Sequence, residues 1–117
     1  MATNGIEAVF VATHNWGRTA KFFLSLGFEL SSEGDGSGVF RNGDGAYVVV
    51  AEVPEGSETG IQIALSVPDA HGFEPASPVE VVSGFENTHY GTAEMTIRDP
   101  DGRLWSLQAP PLDARDH

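Results

Sequence analysis

The chain has 117 residues, enough for one domain whose core needs no covalent staples. It contains no cysteine, which excludes disulfides, zinc–thiolate centres and cysteine nucleophiles. A formal charge of −11, from 17 acidic and 6 basic residues, argues against nucleic acid and anionic membranes as partners and would attract a cationic ligand.

No apolar run approaches the length of a membrane span, and residues 1–5 lack the basic and apolar regions of a signal peptide. The expectation is a soluble, cytoplasmic protein with no membrane partner.

Ile6 to Ala12 is β-branched and apolar and predicts a strand. Asn15 can cap a helix, because its side chain accepts from the orphan N–H groups of the first turn. Trp16 to Leu26 then places Trp16, Thr19, Ala20, Phe23 and Leu26 on one stripe, with Gly27 positioned to end the helix. Phe28–Ser31 and Val39–Arg41 predict short strands around a Gly-rich turn, and Asn42-Gly43-Asp44-Gly45 predicts a hairpin turn into a long strand from Ala46 to Val53. The order is strand, helix, strand, strand, strand.

Pro54 to Thr59 has linker composition. Gly60 to Val67 alternates Ile61, Ile63, Leu65 and Val67 with polar or small residues, the period of a half-buried strand. Residues 68–78 carry three prolines and a glycine, which leave room for about one helical turn. Val79–Val82 predicts a strand and Gly84–Tyr90 a loop. Ala93–Arg98 and Leu104–Gln108 alternate around Asp99-Pro100-Asp101-Gly102, a connector with turn chemistry at every position, so they predict a β-hairpin.

Two of these segments carry a resemblance. The Asn15…Phe22-Phe23…Leu26-Gly27-Phe28 spacing and the Gly91…Asp-Pro-Asp-Gly hairpin are similar to the vicinal oxygen chelate superfamily of glyoxalases, extradiol dioxygenases and fosfomycin- and bleomycin-resistance proteins. The resemblance implies an α+β fold of paired βαβββ modules forming a cupped mixed sheet, here with the second-module helix truncated. It divides the chain into module one at 5–53, a linker at 54–59, module two at 60–109 and a tail at 110–117.

Enzymes of that superfamily usually hold a divalent metal on three strand positions, which correspond here to Ala8, Gln62 and Ser106. Alanine has no donor atom and serine is a poor ligand, so the resemblance implies no metal site and no cofactor. No Gly-x-Ser-x-Gly elbow or His-Glu-x-x-His pattern offers other chemistry. Alternation counted from those metal positions implies that Ala8, Phe10 and Ala12, then Gln62, Ala64 and Ser66, then Glu94 and Thr96, then Leu104, Ser106 and Gln108 lie on the cavity side.

The candidate ligand-binding residues are Trp16, Phe40, Gln62, Phe85, His89, Tyr90, Glu94 and Ser106. The resulting expectation is a metal-free protein of the bleomycin-resistance type, a class tied to antibiotic resistance, that sequesters a small cationic or hydrogen-bonding molecule. The alternative is a metal-dependent lyase, isomerase or dioxygenase with relocated ligands. The lost helix further predicts that Ile61, Ile63, Leu65 and Val67, with Trp105 and Leu107, form an uncovered strip, and hence a homodimer.

Overall fold

The computed structural model of the chain describes residues 3–76, 79–88 and 91–112. They form β1 (Ile6–Thr13), α1 (Trp16–Ser25), β2 (Glu29–Gly34), β3 (Ser37–Arg41), β4 (Tyr47–Glu52), β5 (Gly60–Ser66), β6 (Glu80–Asn87), β7 (Ala93–Arg98) and β8 (Leu104–Ala109). The class is α+β, with parallel and antiparallel strand pairs both present. The chain divides into two compact units, one of Ala8–Gln62 and the other of the residues before it together with those from Ile63 onward.

In the first unit the strand order is β2-β3-β4-β1, antiparallel except for the parallel pair β4–β1. The helix begins as its sequence predicts. Asn15 Oδ1 accepts from the Arg18 N–H at 3.0 Å, and Glu52 Oε1 accepts from the Trp16 N–H at 2.9 Å. It ends on Gly27 at φ +95°, where the Gly27 and Phe28 N–H groups reach back to the Leu24 and Phe23 carbonyls.

The helix packs on one face of its strands. Phe40, Val48 and Val50 are buried there, with Val11, Trp16, Ala20, Phe23 and Phe28 against them. Leu26, predicted on the same stripe, is instead exposed, because the helix has already turned into its cap. Strand register puts Ala8, Phe10 and Ala12 on the opposite face with Tyr47, Val49 and Ala51. Phe40, expected at the ligand site, is a buried core residue beneath the helix. Trp16, also expected there, packs against the same core, with its ring 5.7 Å from that of Phe40.

The second unit repeats the topology, in the order β6-β7-β8-β5 with β8–β5 parallel and the rest antiparallel. Two segments without obvious sequence identity thus build one strand plan. The segment between β5 and β6 holds no helix among its described residues, as its prolines predict. β6 runs to Asn87 and takes in Gly84–Asn87, which the sequence predicts as loop. It reaches that length through register shifts at Val81/Ser83 and Ser83/Glu86, where bulges absorb the irregular pattern.

Much of the predicted uncovered strip is covered by the chain itself, although Ile61 stays exposed. Val67 and Leu107 are 1% and 2% exposed, in one cluster with Ala70, Ala93, Met95 and Ala109. Leu65, Phe73, Phe85, Ile97 and Leu112 pack around it. Ala70 and Phe73 belong to the helix-less segment, so a loop does the covering that a helix would have done. Phe85, expected at the ligand site, meets Phe73 edge-on at 6.1 Å and packs against this core.

Candidate functional site

The face of the second unit opposite that core is polar. Register across β6, β7, β8 and β5 aligns Glu86, Glu94, Gln108 and Ser66 in one row and Ser83, Thr96, Ser106 and Ala64 in the next. Period-two alternation produces this directly: the residues between them, Leu65, Leu107, Ala93 and Met95, point to the core. Ser106 and Gln108 are 0% and 2% exposed, an unusual place for two polar side chains. Glu86 and Glu94 stand directly opposite each other, and like charges in that position destabilise a sheet.

Gln108 is held from one side. Its Oε1 accepts from the Thr92 Oγ1 hydroxyl at 2.7 Å, and Thr92 in turn is tied to Thr88 through paired hydroxyls 3.0 Å apart. Its Nε2 is buried and has no hydrogen-bond partner among the described residues. A buried amide N–H without an acceptor loses its hydration for nothing in return, at about 1–3 kcal/mol.

Gln108 also lines a cleft of about 330 Å³ with Glu7, Ser66, Val67, Pro68, Thr92, Ala109 and Pro110. Backbone bonds shape this end of the unit. Ser66 is bonded by Asn4 and Gly5 on one side, while the Val67 N–H donates to the Gln108 carbonyl at 2.8 Å on the other. The lining combines apolar residues with an amide, two hydroxyls and a carboxylate, the usual make-up of a small-molecule site.

Of the predicted site residues, Glu94 and Ser106 share this polar face. Gln62 lies half-buried on β5 in the other unit, Trp16 and Phe40 serve that unit's core, and Phe85 serves the apolar core described above. His89 and Tyr90 lie outside the described residues. Sequence reasoning missed Glu7, Glu86 and Thr92. Glu86 was hidden because β6 was expected to stop at Val82, and Thr92 because it precedes the hairpin's first strand residue.

The metal positions implied by the resemblance do not fit a divalent cation. Ala8 is a buried methyl, Ser106 a buried hydroxyl, and the described residues contain no group of three His, Asp or Glu able to hold an ion. No step through a metal follows from this donor set. Among the described residues no helix is long and apolar enough to cross a membrane.

The strand plan, the capped helix and the hairpin define a vicinal oxygen chelate fold. Solved structures agree. The chain is similar to a glyoxalase/bleomycin resistance protein/dioxygenase superfamily member from Vibrio splendidus 12B01, at 21% identity and a TM-score of 0.68 over 89% of this chain and 98% of that one. It is also similar to methylmalonyl-CoA epimerase from Mycobacterium tuberculosis, at 16% identity and TM-score 0.70, covering 98% and 93% of the two chains. The Mn(II)-bound glyoxalase from Novosphingobium aromaticivorans matches at 18% identity and TM-score 0.72 over 92% of this chain and 39% of its own. No protein-family model matches the chain, and no curated protein matches it.

Proposed function

We propose that the chain is a metal-independent binding protein of the bleomycin-resistance kind, which holds a small cationic or hydrogen-bonding molecule on the polar face of its second unit. The observation that carries this is the row Glu86–Glu94–Gln108–Ser66. Two carboxylates face each other across β6 and β7 beside a buried amide, a negatively charged row that favours a cationic ligand. The net charge of −11 supports capture of such a ligand from solution. The donor set at Ala8 and Ser106 supports binding without a metal over a metal-dependent lyase, isomerase or dioxygenase.

Native mass spectrometry and elemental analysis of protein purified from its own host test this reading. The expected result is a retained organic molecule and no stoichiometric metal. One equivalent of a divalent transition metal per chain would overturn it. Glu94→Gln should weaken the retained molecule's binding about tenfold and flatten its salt dependence, as for loss of one desolvated charge partner.

The same proposal includes a cytoplasmic location and a homodimer. The dimer now rests on narrower ground, since the β5 strip is largely covered. Ile61 remains 70% exposed, and Phe22, Leu24 and Leu26 are exposed on or beside α1. Sedimentation at micromolar concentration decides it; a monomer there removes the dimer from the account.

A further inference from the structure

The cleft beside Gln108 narrows the chemistry of the ligand. We infer that it is a subsite for a neutral carbonyl oxygen, so that the ligand is a small organic cation carrying an amide or ketone group. This rests on the binding reading above and specifies what that site selects.

The unpartnered group is a donor. Gln108 Nε2 is buried, while the same side chain's oxygen is already engaged by Thr92. A fixed oxygen and an unused N–H₂ mean that the missing partner is an acceptor. Gln108 lines the cleft, so the acceptor is assigned to a ligand bound there while Oε1 stays on Thr92. Ser66 and Thr92 add hydroxyls to the lining, and Val67, Pro68, Ala109 and Pro110 add apolar surface.

The charge around the cleft decides which acceptor fits. Glu7 lines it, and Glu94 stands opposite Gln108 on the neighbouring strand. A carboxylate or phosphate would satisfy Nε2 but would meet like charge from both glutamates. A neutral carbonyl satisfies the amide without that repulsion, and a cationic group on the same molecule is drawn to the glutamates. At about 330 Å³ the cleft lies at the small end of ligand sites, which suits a single ring or a short chain.

Three probes test this: para-aminomethylbenzamide carries cation and carbonyl, benzylamine the cation alone, and para-aminomethylbenzoate the cation with a carboxylate. Binding is measured by ¹⁵N–¹H NMR titration, which also reads the Gln108 side-chain amide directly. The amide should bind about tenfold more tightly than either other probe, the ratio set by one buried hydrogen bond. It should also move the Gln108 side-chain signals together with the Ser66 and Thr92 backbone signals. Gln108→Leu should bring the amide down to the affinity of benzylamine, and Glu7→Gln should raise the benzoate towards the amide. Should Gln108→Leu not fold, the wild-type side-chain shifts and Glu7→Gln decide. Equal affinity for the amide and benzylamine, with shifts confined to Glu94 and Thr96, overturns the carbonyl subsite and leaves the cation-binding reading standing. Absence of binding by all three probes overturns both.

Discussion

The Trp105 indole N–H donates to Asp99 Oδ2 at 3.0 Å, from one arm of the β7–β8 hairpin to its turn. The other oxygen, Oδ1, accepts from the Asp101 and Arg103 backbone N–H groups at 2.9 Å, and Arg103 Nε closes on Oδ2 at 3.0 Å. One carboxylate therefore fixes the turn that aligns Glu94 with Gln108 and Thr96 with Ser106. The polar face depends on this register, because a slip of one residue would exchange it with the core face.

That carboxylate has a pH signature. The Trp105 hydrogen bond first, then the Arg103 and Asp101 backbone bonds and the Arg103 charge, lower the Asp99 pKa from 3.8 to about 2 against a smaller cost of desolvation. A depressed folded-state value means its stabilisation is fully present above 3.8 and disappears as pH falls towards 2. Asp99→Asn should therefore melt at a lower temperature than wild type at neutral pH, with the gap closing across that acid window. Thermal unfolding as a function of pH measures it, and a gap constant over the whole range would contradict it.

Gly38 should not tolerate a side chain, although its backbone is not left-handed. A Cβ there would lie 2.6 Å from Trp16 Cη2, 2.9 Å from Leu30 Cδ1 and 3.1 Å from the Ser32 carbonyl oxygen. Gly38→Ala should cost about 1–3 kcal/mol by overpacking. Urea unfolding reads the loss, and a neutral effect would mean that the Trp16–Phe40 stack moves aside freely.

The helix-less segment should behave as core. Phe73→Ala removes its main contact to the Leu65–Val67–Leu107 cluster and to Phe85, and should cost about 1–3 kcal/mol. Leu65→Asp should cost more, about 3 kcal/mol or above, because it buries a charge with no partner. Both losses should be the same at low and high protein concentration. An unfolding midpoint that rises with concentration only in the wild type would instead put this strip in a subunit interface.

Removal of metal should leave the protein unchanged. If binding is metal-independent, as proposed from Ala8 and Ser106 at the donor positions, EDTA and added Mn²⁺, Ni²⁺ or Zn²⁺ should leave the melting midpoint where it is. A midpoint that falls with EDTA and recovers with one added metal would point to ligands drawn from elsewhere in the chain.

Much of this was legible along the chain because its causes are local. The Asn15 cap, the Gly27 stop and the Asp99–Gly102 turn each act over four to six residues, and the structure forms them where their chemistry predicts. Alternation in Ala93–Arg98 and Leu104–Gln108 sorted Glu94, Thr96, Ser106 and Gln108 from Met95, Ile97 and Leu107 before any pairing was known. The prolines of residues 68–78 ruled out a full helix. Tertiary structure decided what those local rules leave open. Phe40, Trp16 and Phe85 are aromatics that suit a core and a cavity equally, and only the packing of Phe40 on Phe23, Trp16 on Phe40 and Phe85 on Phe73 placed them against cores. Bulges carried β6 on to Glu86 and placed it opposite Glu94, a pairing no single strand encodes. Thr92, Ser66 and Glu7 meet Gln108 only after three distant segments close on one another, so the cleft and its unused amide belong to the fold rather than to any stretch of sequence.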